Sequence, residues 1–361
     1  MFTHHRLAGV LAGLAGATFA LSVAAQTLTP APGCGPEAAT DPKPLEHKAA
    51  RCAPNSPPPV PLAAKTTIRM ATLPTIENFA PFAIGLAKGE FLKENIELEV
   101  VNVPVSDAIQ LMANEKLDAI YSAPTAGFYN AINQGFKLAY VAGNWSAPAD
   151  GKSGLWALKG TTVAALKGKT IGTVVGPDSA TMYPTATVLA TAGLTPLDVV
   201  LQRFDFASMP LGLKNGGMAA GWILDPQWTQ FVNDPDFVFL GGQALGEPLG
   251  GTMFGPSLLE KNRPAGVAFM RAFIRVVNTY FDGDYKKNDA FMQELSTALK
   301  IPVDALKRTP AMVWDWEIRA GTTDRVQQTF VQTKALQFPT PLPEARVVDR
   351  GFYQAAVGRK F

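Results

Sequence analysis

The sequence predicts an α/β protein of two lobes, each a mostly parallel sheet flanked by helices, completed by a helical C-terminal tail. Three observations carry this. Short apolar runs of strand length alternate with helical stretches in two successive blocks, one starting near Thr66 and the other near Lys169. Such alternation is the mark of parallel sheets with crossover helices. From Ser257 onward the pattern turns largely helical, clearest over Val267 to Tyr280. The length of 361 residues also exceeds a typical domain of about 100–200 residues, leaving room for two units with a cleft between them.

The chain opens on a short basic start, Met1 to Arg6, an apolar run from Leu7 to Leu21 and the small residues Val23-Ala24-Ala25. This predicts an export signal over residues 1–25, cleaved after Ala25, and a periplasmic location. The run falls short of the about 20 apolar residues a spanning helix needs. Ala31-Pro32-Gly33 before Cys34 is no lipobox. Residues 26–64, rich in Pro and Ala with Pro57-Pro58-Pro59 near the end, read as a semi-extended tether. It holds both cysteines, Cys34 and Cys52, and a disulfide between them is expected in an oxidising compartment. A chain starting near Lys65 is expected to fold and bind unaided.

In the first block, strands are expected at Thr67–Ala71, Ile96–Val103, Leu117–Tyr121 and Phe136–Gly143, with helices at Pro81–Lys88, Asp107–Asn114 and Thr125–Gln134. In the second, strands are expected at Thr170–Val175, Val199–Phe204, Met218–Leu224 and Phe237–Leu240. Helices fall at Thr181–Ala192 and Met209–Lys214, the first stopped by Gly193. Lobe one is then residues 65–145 with 245–361, and lobe two residues 146–244. The two lobes join near Asn144-Trp145 and again around Phe239 to Gly246.

Thirty-two Lys and Arg against 30 Asp and Glu leave a formal charge of +2, which carries no bulk electrostatic footprint for nucleic acid or an anionic membrane. Three His and two Cys leave almost no imidazole or thiol chemistry. His4 and His5 leave with the signal, and His47 lies in the tether, so no Ser-His-Asp or Cys-His arrangement forms in the lobes. No His/Cys cluster suits zinc and no phosphate-binding GxxxxGK[ST] loop is present. Gly241-Gly242 and Gly250-Gly251 lack the strand–helix context of dinucleotide loops. The expectation is a protein with no catalytic residue, no metal, no cofactor and no nucleic-acid partner, monomeric, and not an enzyme.

Ligands of open α/β sheets lie beyond the carboxyl ends of strands, where loops run into helix N-termini. Three such turns stand out. The first carries Thr75 and Asn78, the second Ser122 and Thr125, the third Ser179, Thr181 and Tyr183. Ser122 and Ser179 suit helix N-caps, beside which free N–H groups attract polar or anionic groups. Asn144 and Trp145 fall where the chain enters the hinge, while Trp222 and Asp225 end a strand of the second block. These eleven residues are the candidate ligand contacts, each weighed against plain capping or packing. Trp314 and Trp316, in the tail, read as packing. None of the turns carries Arg or Lys; Arg203 or Arg319 could supply a cation only through the fold.

Four segments add a resemblance. Gly85-Leu86-Ala87-Lys88-Gly89-Glu90-Phe91 with Leu98-Glu99-Val100, then Leu117-Asp118-Ala119-Ile120 before Ser122-Ala123-Pro124, come first. Leu166-Lys167-Gly168-Lys169-Thr170-Ile171-Gly172 and Gly217-Met218-Ala219-Ala220-Gly221-Trp222, ending in Asp225-Pro226, follow in order. Together they resemble the periplasmic solute-binding proteins for taurine, alkanesulfonates and nitrate, and the thiamine pyrimidine-precursor binding proteins. The resemblance spans about Thr66 to Phe361. It implies a type II periplasmic binding fold that closes on a small molecule and delivers it to a membrane ABC permease. A sulfonate-like anion or a heteroaromatic compound is the implied ligand. An exported sensory module and a thiamine-pyrimidine synthase-like enzyme are the alternatives; the synthase relies on His and Cys chemistry missing from these lobes.

Overall fold

The structure is a computed structural model, and it describes residues 53, 55–72, 76–148, 150–173, 176, 178–205, 208–243 and 249–359. The expected export signal, the Cys34–Cys52 pair and Thr75 lie outside the described residues.

The first sheet grows from β1 (Thr66–Ala71), β2 (Ile96–Val101), β3 (Ala119–Ser122) and β4 (Ala139–Gly143). Its chemistry is plainest in β2, where Ile96 and Leu98 turn into the core while Glu97 and Glu99 face out. β2 pairs in parallel with β1, Thr66 opposite Ile96. Helices α1 (Ala80–Ala87), α2 (Val105–Ala113) and α3 (Ala126–Asn133) connect these strands. The chain then passes through β5 (Trp145–Ser146) into the second sheet. That sheet is built from β6 (Gly154–Leu158), β7 (Thr170–Thr173), β8 (Val200–Arg203), β9 (Ala220–Ile223) and β10 (Phe237–Gly242), with helices α4 (Met182–Ala190), α5 (Met209–Lys214) and α6 (Thr229–Val232). It returns as β11 (Gly251–Phe254), which slots between β3 and β4.

The sheet orders are β2-β1-β3-β11-β4 and β10-β6-β9-β7-β8. Each contains one reversed strand, since β11 runs antiparallel to both neighbours and β6 antiparallel to β9 and β10. The sequence patterns expected neither β6 nor β11. Both are the strands by which the chain enters a sheet from the other one, so the two sheets are tied by two crossovers, 144–153 outward and 243–250 back.

The tail supplies α7 (Arg263–Tyr280), α8 (Asp289–Leu299), α9 (Val303–Lys307), the short strand β12 (Val313–Trp314), α10 (Thr322–Gln332), α11 (Glu344–Val347) and α12 (Gly351–Val357). Helix α7 starts at a side-chain cap, Asn262 Oδ1 accepting from the Ala265 N–H at 3.2 Å, with Pro264 in the first turn. Its buried Phe273 stacks on Phe82 of α1, centroids 4.9 Å apart and planes 9° from parallel. The second sheet is packed on both faces, Leu155 and Trp222 contributing to one cluster and Trp156 and Ile223 to the other. β12 pairs antiparallel with β5, Trp314 opposite Trp145, so the outward crossover is stapled to the tail. Gly143 lies just before that staple: a Cβ there would stand 2.4 Å from the Asp315 carbonyl oxygen.

The end of the Pro-rich segment is not a free tether. Arg275, in α7, donates to Glu90 and Glu94 at 2.7 Å each and to the Pro57 carbonyl at 3.3 Å. Arg271 holds Glu94 and donates to the Val60 carbonyl at 2.8 Å. Asn278 donates to the Ala53 and Asn55 carbonyls at 2.9 and 3.2 Å. Extended, Pro-rich backbone leaves its carbonyls without ladder partners, and one face of α7 satisfies them. The segment is a strap along α7, so a chain starting near Lys65 would lose part of its packing.

Candidate functional site

A cavity of about 540 Å³ lies between the two sheets, at the carboxyl ends of β1, β2, β3, β4, β7, β8 and β9. From the first sheet it gathers Asn78, Ser122 and Thr125; from the outward crossover Asn144 and Trp145; from the second sheet Ser179, Thr181 and Trp222. Tyr183 and Asp225 are not brought to it. Tyr183 sits in the first turn of α4 and packs against the larger core around the first sheet. Asp225 is buried behind the wall, accepting from the Ser153 hydroxyl and from Trp228 Nε1 at 2.6 Å. It starts no helix at once, α6 beginning only at Thr229. Burial pushes its carboxyl above the usual range, against the pull of those two donors.

The capping expectations change. The N-cap of α3 is Thr125 and that of α4 is Thr181, and neither uses its side chain as a cap. Ser122 instead ends β3 opposite Gly251, and Ser179 exchanges a 2.7 Å hydrogen bond with the Thr181 hydroxyl. The first N–H of α3, on Ala126, donates 2.8 Å to the Asp178 carbonyl of the opposite sheet's turn. That donor serves as a latch between the sheets and is not offered to a ligand. Inside the wall, Thr125 Oγ1 and Trp222 Nε1 are buried with no hydrogen-bond partner among the described residues.

Asn78 is placed by its neighbour. Glu77 is buried, takes a hydrogen bond from the Tyr285 hydroxyl at 3.0 Å and pairs with Lys286 Nζ at 2.5 Å. Burial raises its carboxyl above the usual range and Asp225 adds to this, while Lys286 and Tyr285 oppose. The turn is thereby bolted to the tail, and Asn78 and Phe79 stand at the wall.

Residues outside the expected set complete the lining. Arg203, at the end of β8, is exposed and is the lining's only cation; Asp178 is its only carboxylate, both among the described residues. Arg319 is spent elsewhere, buried and paired with Asp315 at 3.3 Å. Phe79, Tyr121, Trp145 and Trp222 supply ring surface. The Tyr121 hydroxyl donates to Asn144 Oδ1, and the Tyr140 hydroxyl to the Gly250 carbonyl. One tyrosine thus pins each crossover to the first sheet. Burial holds the Tyr121 hydroxyl well above its ordinary range, so it keeps its proton. Ring walls with a few placed donors suit the capture of a small organic molecule. Among the described residues no group of three His, Cys, Asp or Glu could hold a metal ion, and no helix is long and apolar enough to cross a membrane.

Residues 76–241 match the family model described as NMT1/THI5 like. No curated protein matches the chain in sequence. Among solved structures, the alkanesulfonate-binding protein SsuA of Xanthomonas axonopodis pv. citri bound to MOPS superposes with a TM-score of 0.61 at 16% identity, over 79% of this chain and 99% of that one. The periplasmic nitrate-binding protein NrtA of Synechocystis PCC 6803 gives 0.60 at 14%, over 84% and 89%. The desulfurization enzyme DszB gives 0.57 at 11%, over 81% and 98%.

Proposed function

We propose, starting from an NMT1/THI5-like domain over residues 76–241 set in the periplasmic-binding-protein fold, that this protein is exported and captures a small organic anion between its lobes for an ABC importer. The observation that carries the reading is the lining of the cavity: ring surface and hydrogen-bond donors, with Arg203 as the cation at its edge among the described residues. A buried anion must be met by charge or by donors. The sulfonate- and nitrate-binding proteins that share the fold support an anion as the first class to try. The residues proposed to touch it are Asn78, Ser122, Thr125, Asn144, Trp145, Ser179, Thr181 and Trp222, joined by Arg203.

The test is a thermal-shift screen of sulfonates, carboxylates and neutral heteroaromatics. A ligand at 100 times its Kd raises stability by about 2.7 kcal/mol. Anions are expected to raise the melting temperature, and Arg203→Gln to weaken their binding about ten-fold, the loss of one charged hydrogen bond. Stabilisation by neutral heterocycles alone, indifferent to Arg203→Gln, would overturn the anion reading.

A further inference from the structure

We propose that Asn144 is the residue that reads the polarity of the bound solute, its Nδ2 donating to an acceptor on the ligand, with Tyr121 as the positioning residue that keeps the amide so turned. This rests on the reading of the cavity as a ligand site and adds a chemical class to it. The group lodged against the outward crossover is a bare oxygen acceptor, as in a sulfonate, carboxylate or carbonyl, and not an N–H or O–H donor.

An asparagine amide carries an acceptor at one end and a donor at the other, and by itself suits either kind of ligand. Here one end is committed. Asn144 is buried, its Oδ1 accepts from the Tyr121 hydroxyl, and its backbone carbonyl accepts from the Asp315 N–H at 2.9 Å. Its Nδ2 makes no hydrogen bond among the described residues, although the residue lines the cavity. Turning the amide over would make the Tyr121 oxygen an acceptor of Nδ2 and leave the buried hydroxyl proton without its partner. The backbone leaves room for the observed orientation only because residue 250 is glycine, where a Cβ would stand 2.7 Å from Nδ2. The returning crossover, held by Tyr140 on the Gly250 carbonyl, therefore backs the amide on the side away from Tyr121. Both crossovers thus meet at this one amide, and the ligand atom it selects lies where the lobes are joined.

The experiment is calorimetric titration of benzenesulfonate and benzenesulfonamide, which share a ring and differ in whether the polar end carries N–H donors. Wild type is expected to prefer benzenesulfonate about ten-fold, and Asn144→Leu to lower that affinity by a similar factor, the range of one buried hydrogen bond. Tyr121→Phe lets the amide turn over, so the preference is expected to swing toward benzenesulfonamide while the melting temperature shows the chain still folded. A purely structural role for Tyr121 would weaken both probes equally and leave their ratio unchanged, which would overturn the assignment. Gly250→Ala, which presses on Nδ2 without touching Tyr121, is expected to weaken benzenesulfonate more than benzenesulfonamide. Binding of both probes with a ratio indifferent to Asn144→Leu, Tyr121→Phe and Gly250→Ala would leave the cleft standing and sink only this proposal. If neither probe binds wild type, this proposal fails, while the anion reading stands or falls by the thermal-shift screen.

Discussion

The charged side chains that matter most to this fold stand away from the cavity. Arg275 is buried between Glu90 and Glu94, each 2.7 Å away, and its removal would leave Glu94 to Arg271 alone and Glu90 to the half-exposed Lys93 and to Tyr280. Breaking such a pair by deleting one partner costs about 3–5 kcal/mol, so Arg275→Leu is expected to lower the melting temperature sharply in a calorimetric scan. The same contact sets a pH dependence. Burial pushes the Glu90 carboxyl up, but hydrogen bonds from Arg275, Lys93 and Tyr280 outweigh it and hold the group below its ordinary range. A depressed carboxylate adds stability that is complete above its unfolded pKa, about 4.3 for Glu, and is lost as pH falls through the lower folded value. Stability is therefore expected to drop on acidification below about pH 4, and Glu90→Gln to make that drop shallower. Asp225 shows what residue-level reading misses. It lies just past the end of β9 in a segment that resembles a binding-protein signature, yet it spends both oxygens on Ser153 and Trp228. Only its hydrogen-bond partners, which sequence does not carry, separate it from Trp222, three residues earlier and at the wall.

Strand β2 was legible because Ile96, Glu97, Leu98 and Glu99 alternate without interruption. Strands β6 and β11 were hidden by their own packing. Each opens on a glycine that close strand approach demands: a Cβ on Gly154 would stand 2.4 Å from the Gly241 carbonyl oxygen, and one on Gly251 2.0 Å from that of Ala142. The residue that lets the strand fit is the one that erases its pattern. Gly251→Ala is accordingly expected to shift the melting temperature down by more than a typical surface substitution, since the obstacle is backbone and cannot turn aside. The strap was illegible for a different reason. Its composition is that of a linker, and what orders it are Arg271, Arg275 and Asn278, more than 200 residues away in sequence. Deleting residues 26–64 is expected to yield a chain that melts several degrees lower than one beginning at Ala53, and equal melting temperatures would show the docked segment to be idle. Arg203 had the same kind of concealment, at the end of an edge strand whose last residue faces the cavity only because β8 lies beside β7.

At the scale of the whole molecule the two sheets touch across the cleft through the Ala126 N–H and the Asp178 carbonyl, a contact an open cleft would lack. If the lobes part when empty, ligand binding is expected to reduce the radius of gyration in small-angle scattering; an unchanged radius with a saturating sulfonate would show that the lobes do not move. The repeated strand–helix order foretold two lobes, and the sequence put their expected joints near Asn144-Trp145 and around Phe239 to Gly246, but neither told what holds the outward joint in place. That lies in the staple of β5 to β12, which holds the outward crossover against the tail as far as Ser146. If the lobes swing, the outward pivot is expected just after Ser146, where the staple ends. A panel hung at two points along one edge swings most readily about the line between them. One distance then describes most of its travel. Spin labels on Lys116→Cys and Lys159→Cys, one on each panel, in a chain with Cys34 and Cys52 replaced by serine, would read occupancy as a single length shifting between two values.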